Sequence, residues 1–202
     1  MISPFHTKEY KSYQDYMTQQ ISKLDDGLVE KQWFKNYEIK YPKLLNALID
    51  ASGLDIKGKS VLCLGARTGT EVETFCNHGA FAIGIDVNTG NNNRWVVTGD
   101  ASNIQYPDNC IDIVYTNALD HFLEIDKCLS EIKRVLKPDG YFALLIGSPE
   151  DAEKDRWGST YWDSIKSVKE YLKDNYGFDG MIQVDVSKTN WFSDFIVLRN
   201  GK

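Results

Sequence analysis

The chain has 202 residues, enough for one well-filled core with a small appendage, and its charged and apolar fractions are those of an ordinary globular protein. A formal net charge of −6 argues against nucleic acid as the main partner, because phosphate binding needs clustered cations. The four cysteines, Cys63, Cys76, Cys110 and Cys128, show no Cys-x-x-Cys spacing and no histidine at zinc-site intervals, so no zinc framework is expected, and Cys63 and Cys128 fall in apolar patterns that fit buried free thiols.

Residues 1–57 contain many tyrosines, glutamines and lysines and lack the alternation of a strand. Leu44, Leu45, Leu48 and Ile49 recur at helical spacing, and Trp33, Phe34 and Tyr37 form a similar patch upstream. This segment is expected to be a helical cap of two or three helices, with the main domain at 58–202. Gly53 and Gly58 mark the loop between them.

The pattern then changes. Ser60–Leu64 (SVLCL) is a continuous apolar run of the kind made by a strand buried on both faces. Residues 70–78 suit a helix with Gly79 just past its end. Strands are expected at 81–85, 95–98 and Ile111–Thr116. Apolar positions over 122–136 describe an amphipathic helix that Pro138 and Gly140 stop. A fifth strand at 141–146, a helix at 162–176 and two closing strands at 181–186 and 192–198 complete the chain. Alternating strands and helices imply right-handed crossovers and a parallel sheet. The last two runs have only residues 187–191 between them, too few for a crossover helix, so they should pair antiparallel. The expected fold is α/β, a Rossmann-like, doubly wound, mostly parallel sheet of seven strands with an antiparallel C-terminal strand and added N-terminal helices.

Three consecutive strands each deliver a ligand-type group to one edge of that sheet. Gly65 and Gly69 lie in the turn LGARTGTE after the first strand. Asp86 ends the second, where an acid can accept hydrogen bonds from ribose hydroxyls. Asp100 follows the third, in GDAS. A glycine turn with two strand-end acids makes a groove for an adenosine-type ligand.

The stretches VLCLGARTGT, AIGIDVN and GDASNIQYPDNCIDIVYTNALDHFLEIDKCLSEIKRVLKPDGYFALL resemble the core of a class I S-adenosylmethionine-dependent methyltransferase, in the small-molecule branch. The resemblance implies S-adenosylmethionine as cofactor. It places Gly65, Ala66 and Gly69 against the methionine and sugar, Asp86 on the ribose hydroxyls and Val87 on the adenine. It places Asp100 on the adenine amino group, the Ala101 N–H opposite a ring nitrogen, and Asn117 beside the methionine portion. Three positions depart from the family. Cys63 stands where an acid usually helps hold the methionine amino group. Arg67 stands where glycine is usual, and is expected to bind the cofactor's carboxylate or an acid such as Glu71 or Glu124, or else to point to solvent. VNTGNNNR is too short for the usual helix, so an Asn/Gly-rich loop should replace it. Each residue also has a structural alternative: tight packing for the glycines, loop capping for the acids.

Asp120 and His121 open the helix after the fourth strand, Asp120 as its N-cap. Methyl transfer mostly requires alignment of acceptor and donor. A hydroxyl acceptor must also lose a proton, which makes His121 the candidate base, with pocket lining as its alternative role. No Asp-Asn ligand pair follows the fifth strand's helix, so no metal is expected. In GSPEDAEKDRWGSTYWDS, the residues Trp157, Tyr161 and Trp162 can form aromatic walls for the acceptor and Arg156 an anion contact, or the segment is an ordinary surface loop. Tyr10, Tyr13 and Tyr16 are candidates for a lid over the site.

A small-molecule acceptor is favoured over nucleic acid, since TNALDH lacks the proline-containing segment of DNA amino-methylating enzymes. The alternatives are a non-catalytic binding protein on the same fold and an NAD(P)-dependent oxidoreductase, against which no Tyr is followed by Lys four residues on. No signal-peptide-like segment opens the chain and no 18-residue apolar stretch occurs, so a cytoplasmic protein without a membrane span is expected.

Overall fold

The computed structural model describes residues 2–25, 27, 31–189 and 192–201, with only the backbone of Asp25, Trp33, Met181 and Thr189. The side chain of Trp33 and the tip of the closing turn at 190–191 therefore lie outside the described residues. Strands β2 (Ser60–Leu64), β3 (Phe81–Asp86), β4 (Val96–Thr98), β5 (Ile111–Thr116), β6 (Leu136–Ile146), β8 (Phe178–Asp185) and β9 (Asp194–Asn200) form one sheet of seven in the order β4-β3-β2-β5-β6-β9-β8. β9 runs antiparallel to both neighbours, and the β4-to-β6 ladders are all parallel. The carboxyl ends of β2, β3, β4 and β5 therefore share one edge, with the order reversing at β2.

Period-two alternation divides the apolar residues between two cores. Leu62, Leu64, Val114, Phe142 and Leu144 face helices α4 (Ile125–Val135) and α6 (Ile165–Tyr176). Val61, Cys63, Ile113, Tyr115 and Leu145 face α2 (Gln32–Ser52) and α3 (Thr70–Asn77). Both faces are covered, which is why these strands read as unbroken apolar runs. Cys63 and Cys128 are buried free thiols.

The N-terminal segment holds two helices, α1 (Tyr13–Asp25) and α2, and a strand that the apolar pattern does not signal. This β1 (Phe5–Thr7) pairs antiparallel with β7 (Thr160–Trp162), and so ties the chain's start to the connection after β6. Trp162 thus lies in a strand. The helix expected from 162 begins at Ile165, where Ser164 and Ser167 form a reciprocal capping box. A further short helix, α5 (Pro149–Lys154), is capped by the Ser148 hydroxyl.

The helix expected over 122–136 starts at Ile125, after a 3-10 turn at Leu119–His121. The cause is competition for backbone carbonyls. Asp120 O accepts from Ser159 N at 2.6 Å and Phe122 O from the Thr160 hydroxyl at 2.5 Å, so the β7 segment takes groups that a helix would need. Asp120 is therefore no N-cap. Glu124 holds that position without a side-chain cap. Among the described residues no helix is long and apolar enough to cross a membrane.

One polar group of the core fixes the site wall. Tyr41 of α2 hydrogen bonds through its hydroxyl to that of Tyr115 on β5, and Asn117 Nδ2 donates to the hydroxyls of Tyr41 at 2.8 Å and Tyr37 at 2.9 Å. Tyr41→Phe leaves the buried Tyr115 hydroxyl and one Asn117 donor short of partners. It is expected to cost about 1–3 kcal/mol, measured as a lower denaturant midpoint at unchanged m-value.

Candidate active site

The turn after β2 is held by its backbone. Gly65 N and Ala66 N both donate to Ile85 O, at 2.9 and 3.2 Å. Arg67 adopts φ 41°, and Asn93 Nδ2 donates to its carbonyl at 2.9 Å. Gly69 precedes α3 at φ 86°, and a Cβ there would lie 2.5 Å from Trp95 Cβ. Its absent side chain thus serves the packing of the turn on Trp95, and Gly69 lines neither cavity described below.

Asp86 closes the turn from the next strand. Its Oδ2 accepts from Arg67 N at 2.9 Å and its Oδ1 from Asn88 N at 2.9 Å. The loop to β4 carries no helix, as expected, and Asn93 organises it by accepting from Trp95 N and Val96 N. Asp100 accepts from Ser102 N at 2.8 Å and from the Tyr13 hydroxyl at 2.5 Å.

Two cavities meet at Gly65, Arg67, Ala118 and His121. The first, about 50 Å³, brings Asp86, Val87, Asp100 and Ala101 together beneath α1, which contributes Tyr13, Tyr16, Gln20, Lys23 and Leu24. The N-terminal segment does lie across the site. The second, about 360 Å³, is lined by Ala66, Glu71, Asn117, Asp120, His121 and Trp162, among others. Trp157 and Tyr161 line neither. Trp157 lies beside Lys23 and Arg156, its ring 5.9 and 4.5 Å from their charged groups. Tyr161 stacks on His6 at 5.1 Å, on the other side of β7 from Trp162. Strand alternation decides which of the adjacent aromatics faces inward.

His121 sits where the cavities join. Its Nδ1 lies 3.2 Å from Lys23 Nζ and 3.3 Å from Trp157 O, and carboxylate oxygens of Asp120 and Asp155 lie 3.9 Å from the ring nitrogens. Burial, and then Lys23 and Arg67, hold its pKa well below the usual value, so the imidazole is neutral. Burial, then Arg67, lowers Lys23 to about 7. Burial, then Asp155, raises Asp120 to about 7. Asp120, His121 and Asp155 bring ligand-type atoms within 4.8 Å of one another, but the cation facing this group is Lys23. Among the described residues, Arg67 makes no ion pair with Glu71 or Glu124, contrary to one expectation for it.

Residues 62–144 match the methyltransferase domain family. The solved structure of a Burkholderia thailandensis 1,6-didemethyltoxoflavin-N1-methyltransferase, with bound 1,6-didemethyltoxoflavin and S-adenosylhomocysteine, shares 16% identity, covers 98% of this chain and 95% of that one, and has a TM-score of 0.71. Over residues 62–144 the chain matches that family, and its fold is the one this solved methyltransferase has. A chain of the complex between the Haloferax volcanii Trm112 methyltransferase activator and a methyltransferase is 13% identical, with 91% and 98% of the two chains covered and a TM-score of 0.68. The [4+2]-cyclase SpnF is 18% identical over 78% and 80%, with a TM-score of 0.59. At these identities the likeness is one of fold. No curated protein matches the chain in sequence.

The family matched over residues 62–144 implies S-adenosylmethionine as cofactor, and the residues present fit it. Each carboxylate oxygen of Asp86 has one N–H partner and keeps a second acceptor site for a hydroxyl. Ile85, Ala101 and Phe122 supply apolar wall around Asp100. The larger cavity also holds polar groups that lack partners: Trp162 Nε1 is buried without one, and no side chain among the described residues bonds to the Glu71 carboxylate.

Two participants, Lys23 and Glu71, were not singled out as site residues by sequence. Lys23 lies in a polar helix whose face cannot be assigned without the fold. Glu71 follows the glycine turn by two residues, which is the one signal that marks it. At pH 6.5 the wild-type His121 ring should show the NMR shifts of a neutral imidazole, and Lys23→Met should move its pKa upward. The unfolded chain protonates His121 near its ordinary pKa of about 6.5 while the folded chain does not. Stability is therefore lost as pH falls through that value, and Lys23→Met should shrink the loss.

Proposed function

We propose that this protein transfers a methyl group from S-adenosylmethionine to a small-molecule acceptor. The observation that carries the proposal is the convergence of Asp86 and Asp100, from separate strand ends, on one cavity that opens beside a second containing Asn117 and His121. Asp86 takes the ribose hydroxyls on its two remaining acceptor sites. Asp100 and the Ala101 N–H read the adenine edge, and Val87 packs on its face. Gly65, Ala66 and Asn117 border the methionine portion, with Gly69 holding the turn in place. Arg67, unpaired by a carboxylate among the described residues, receives the cofactor's carboxylate. Residues 1–57 act as a cap and 58–202 as the cofactor-binding domain.

When bound, the cofactor supplies a methyl group on a positively charged sulfur. The protein's part is to hold the acceptor in line, exclude water and receive a proton. His121 Nδ1 is engaged by both Lys23 Nζ and Trp157 O, so Nε2 is the ring nitrogen open to an acceptor, and it serves as the base in the Nδ1–H tautomer. Its low pKa keeps that lone pair available at neutral pH. Trp162 Nε1–H donates to an acceptor oxygen or ring nitrogen. Trp157 acts through His121 by its carbonyl, and Tyr161 supports Trp162 from the neighbouring position in β7.

Calorimetric titration with S-adenosylhomocysteine should show binding, and no heat at high ligand concentration would sink the proposal. Asp86→Ala should weaken binding at least tenfold, about 1.4 kcal/mol. Tyr13→Phe should act in the opposite direction. Its hydroxyl occupies Asp100 Oδ2, so its removal should tighten binding roughly two- to tenfold, the worth of one net hydrogen bond.

A further inference from the structure

Glu71 stands in the first turn of α3, 5% exposed, and lines the larger cavity. Its neighbours in sequence do not satisfy it. The hydroxyls of Thr68 and Thr70 donate instead to Glu38 Oε1 of α2, at 2.9 and 2.8 Å. Apart from its own backbone N–H, the Glu71 carboxylate has no donor among the described residues. A buried carboxylate without partners is costly, and a protein keeps one where a cation or donor arrives from outside.

The position is informative because of what stands next to it. Cys63, on β2 just before the turn, is fully buried; burial raises its thiol pKa, and the Glu71 charge raises it further. A neutral thiol cannot counter a positive charge at the turn. We propose that Glu71 binds the α-ammonium of the cofactor's amino-acid portion, the acid having moved from the strand to the first turn of the following helix. This rests on the methyltransferase reading. Arg67, on the same cavity, then faces the carboxylate of that amino acid, so an acid and a base read its two charged ends.

The proposal carries a proton signature. Burial raises the Glu71 pKa to about 8, with Asp86 of β3 and Glu38 pushing it further up and Arg67 holding it down. Tyr37 of α2 and Tyr115 of β5 also face it. At pH 7 the ligand-free carboxyl is mostly protonated, and an incoming ammonium binds it as carboxylate. One proton leaves the Glu71 oxygen for solvent, and no other bond changes.

The test is calorimetry on the full chain at pH 7 in buffers of different ionisation enthalpy. The ligands are S-adenosylhomocysteine, its desamino analogue, and methylthioadenosine, which lacks the amino acid. Wild type is expected to release close to one proton more with S-adenosylhomocysteine than with the other two. Glu71→Gln is expected to lose this difference, to bind S-adenosylhomocysteine about ten- to a hundredfold more weakly, and to bind methylthioadenosine as wild type does. Methylthioadenosine thereby reports that the variant is folded. The desamino analogue needs no variant at all: equal affinity and equal proton release for it and S-adenosylhomocysteine in wild type would overturn the proposal. So would unchanged S-adenosylhomocysteine binding in Glu71→Gln. Failure of all three ligands to bind wild type overturns the methyltransferase reading as well, and is distinguishable on that account.

Discussion

The Asp86 carboxylate, accepting one backbone N–H from the turn after β2 and another from the loop after β3, is the interaction on which the site depends. A carboxylate that takes two main-chain donors fixes both segments at once. It holds Arg67 in a left-handed conformation that costs a non-glycine residue about 1 kcal/mol or more. It starts the 88–94 loop in a defined direction although no helix follows. That loop in turn holds the N-terminal helix, because Asn88 Nδ2 donates to Ile21 O. α1 is thus positioned from the same residue that lines the smaller cavity, and a change at Asp86 propagates to α1.

A second consequence is electrostatic. Glu71 near 8, Lys23 near 7 and Asp120 near 7 all lie around two joined cavities, each moved there chiefly by burial. Burial opposes the charged form of each of these groups in the ligand-free protein. The raised acids bind protons that the unfolded chain has lost, so their contribution fades as pH rises from the unfolded value toward the folded one. Lys23 works in the other sense, since the unfolded lysine stays charged where the buried one does not. The two slopes act in largely separate windows, the acids below about 8 and Lys23 above about 7. What remains is a set of groups that change charge at small cost when a ligand arrives, which is the arrangement a binding site needs and a core does not.

Much of the frame was legible because burial on both faces writes itself into composition. SVLCL and IDIVYT read as buried strands for the reason that two cores flank them, and the antiparallel last strand followed from a connection too short for a helix. Asp86 and Asp100 were placed correctly at the carboxyl edge by strand ends alone. What local pattern could not show was long-range competition. The carbonyls of Asp120 and Phe122 bond to Ser159 and Thr160, and this shortens α4 from its apolar start. The pairing of Phe5–Thr7 with Thr160–Trp162 spans most of the chain, and it turns Trp162 inward and Tyr161 outward. Lys23 came to His121 from a helix whose periodicity gave no strong face, and only the assembled fold makes the two neighbours.

The same contrast bears on function. SpnF has this fold and is a cyclase, so the sheet and its edge do not by themselves specify a reaction. The specific content lies in the departures at the turn. With a thiol at 63 and a guanidinium at 67, the usual division of charge around the glycines is inverted: the strand residue becomes neutral and the turn becomes cationic. A cofactor with a zwitterionic end would meet a cation without a balancing acid unless one is supplied nearby. Glu71, buried in the first turn of α3 and bonded among the described residues only to its own backbone N–H, is the residue whose cost is otherwise unexplained. On the proposed reading, Cys63, Arg67 and Glu71 are therefore one feature: a charge pair set across the turn instead of along the strand.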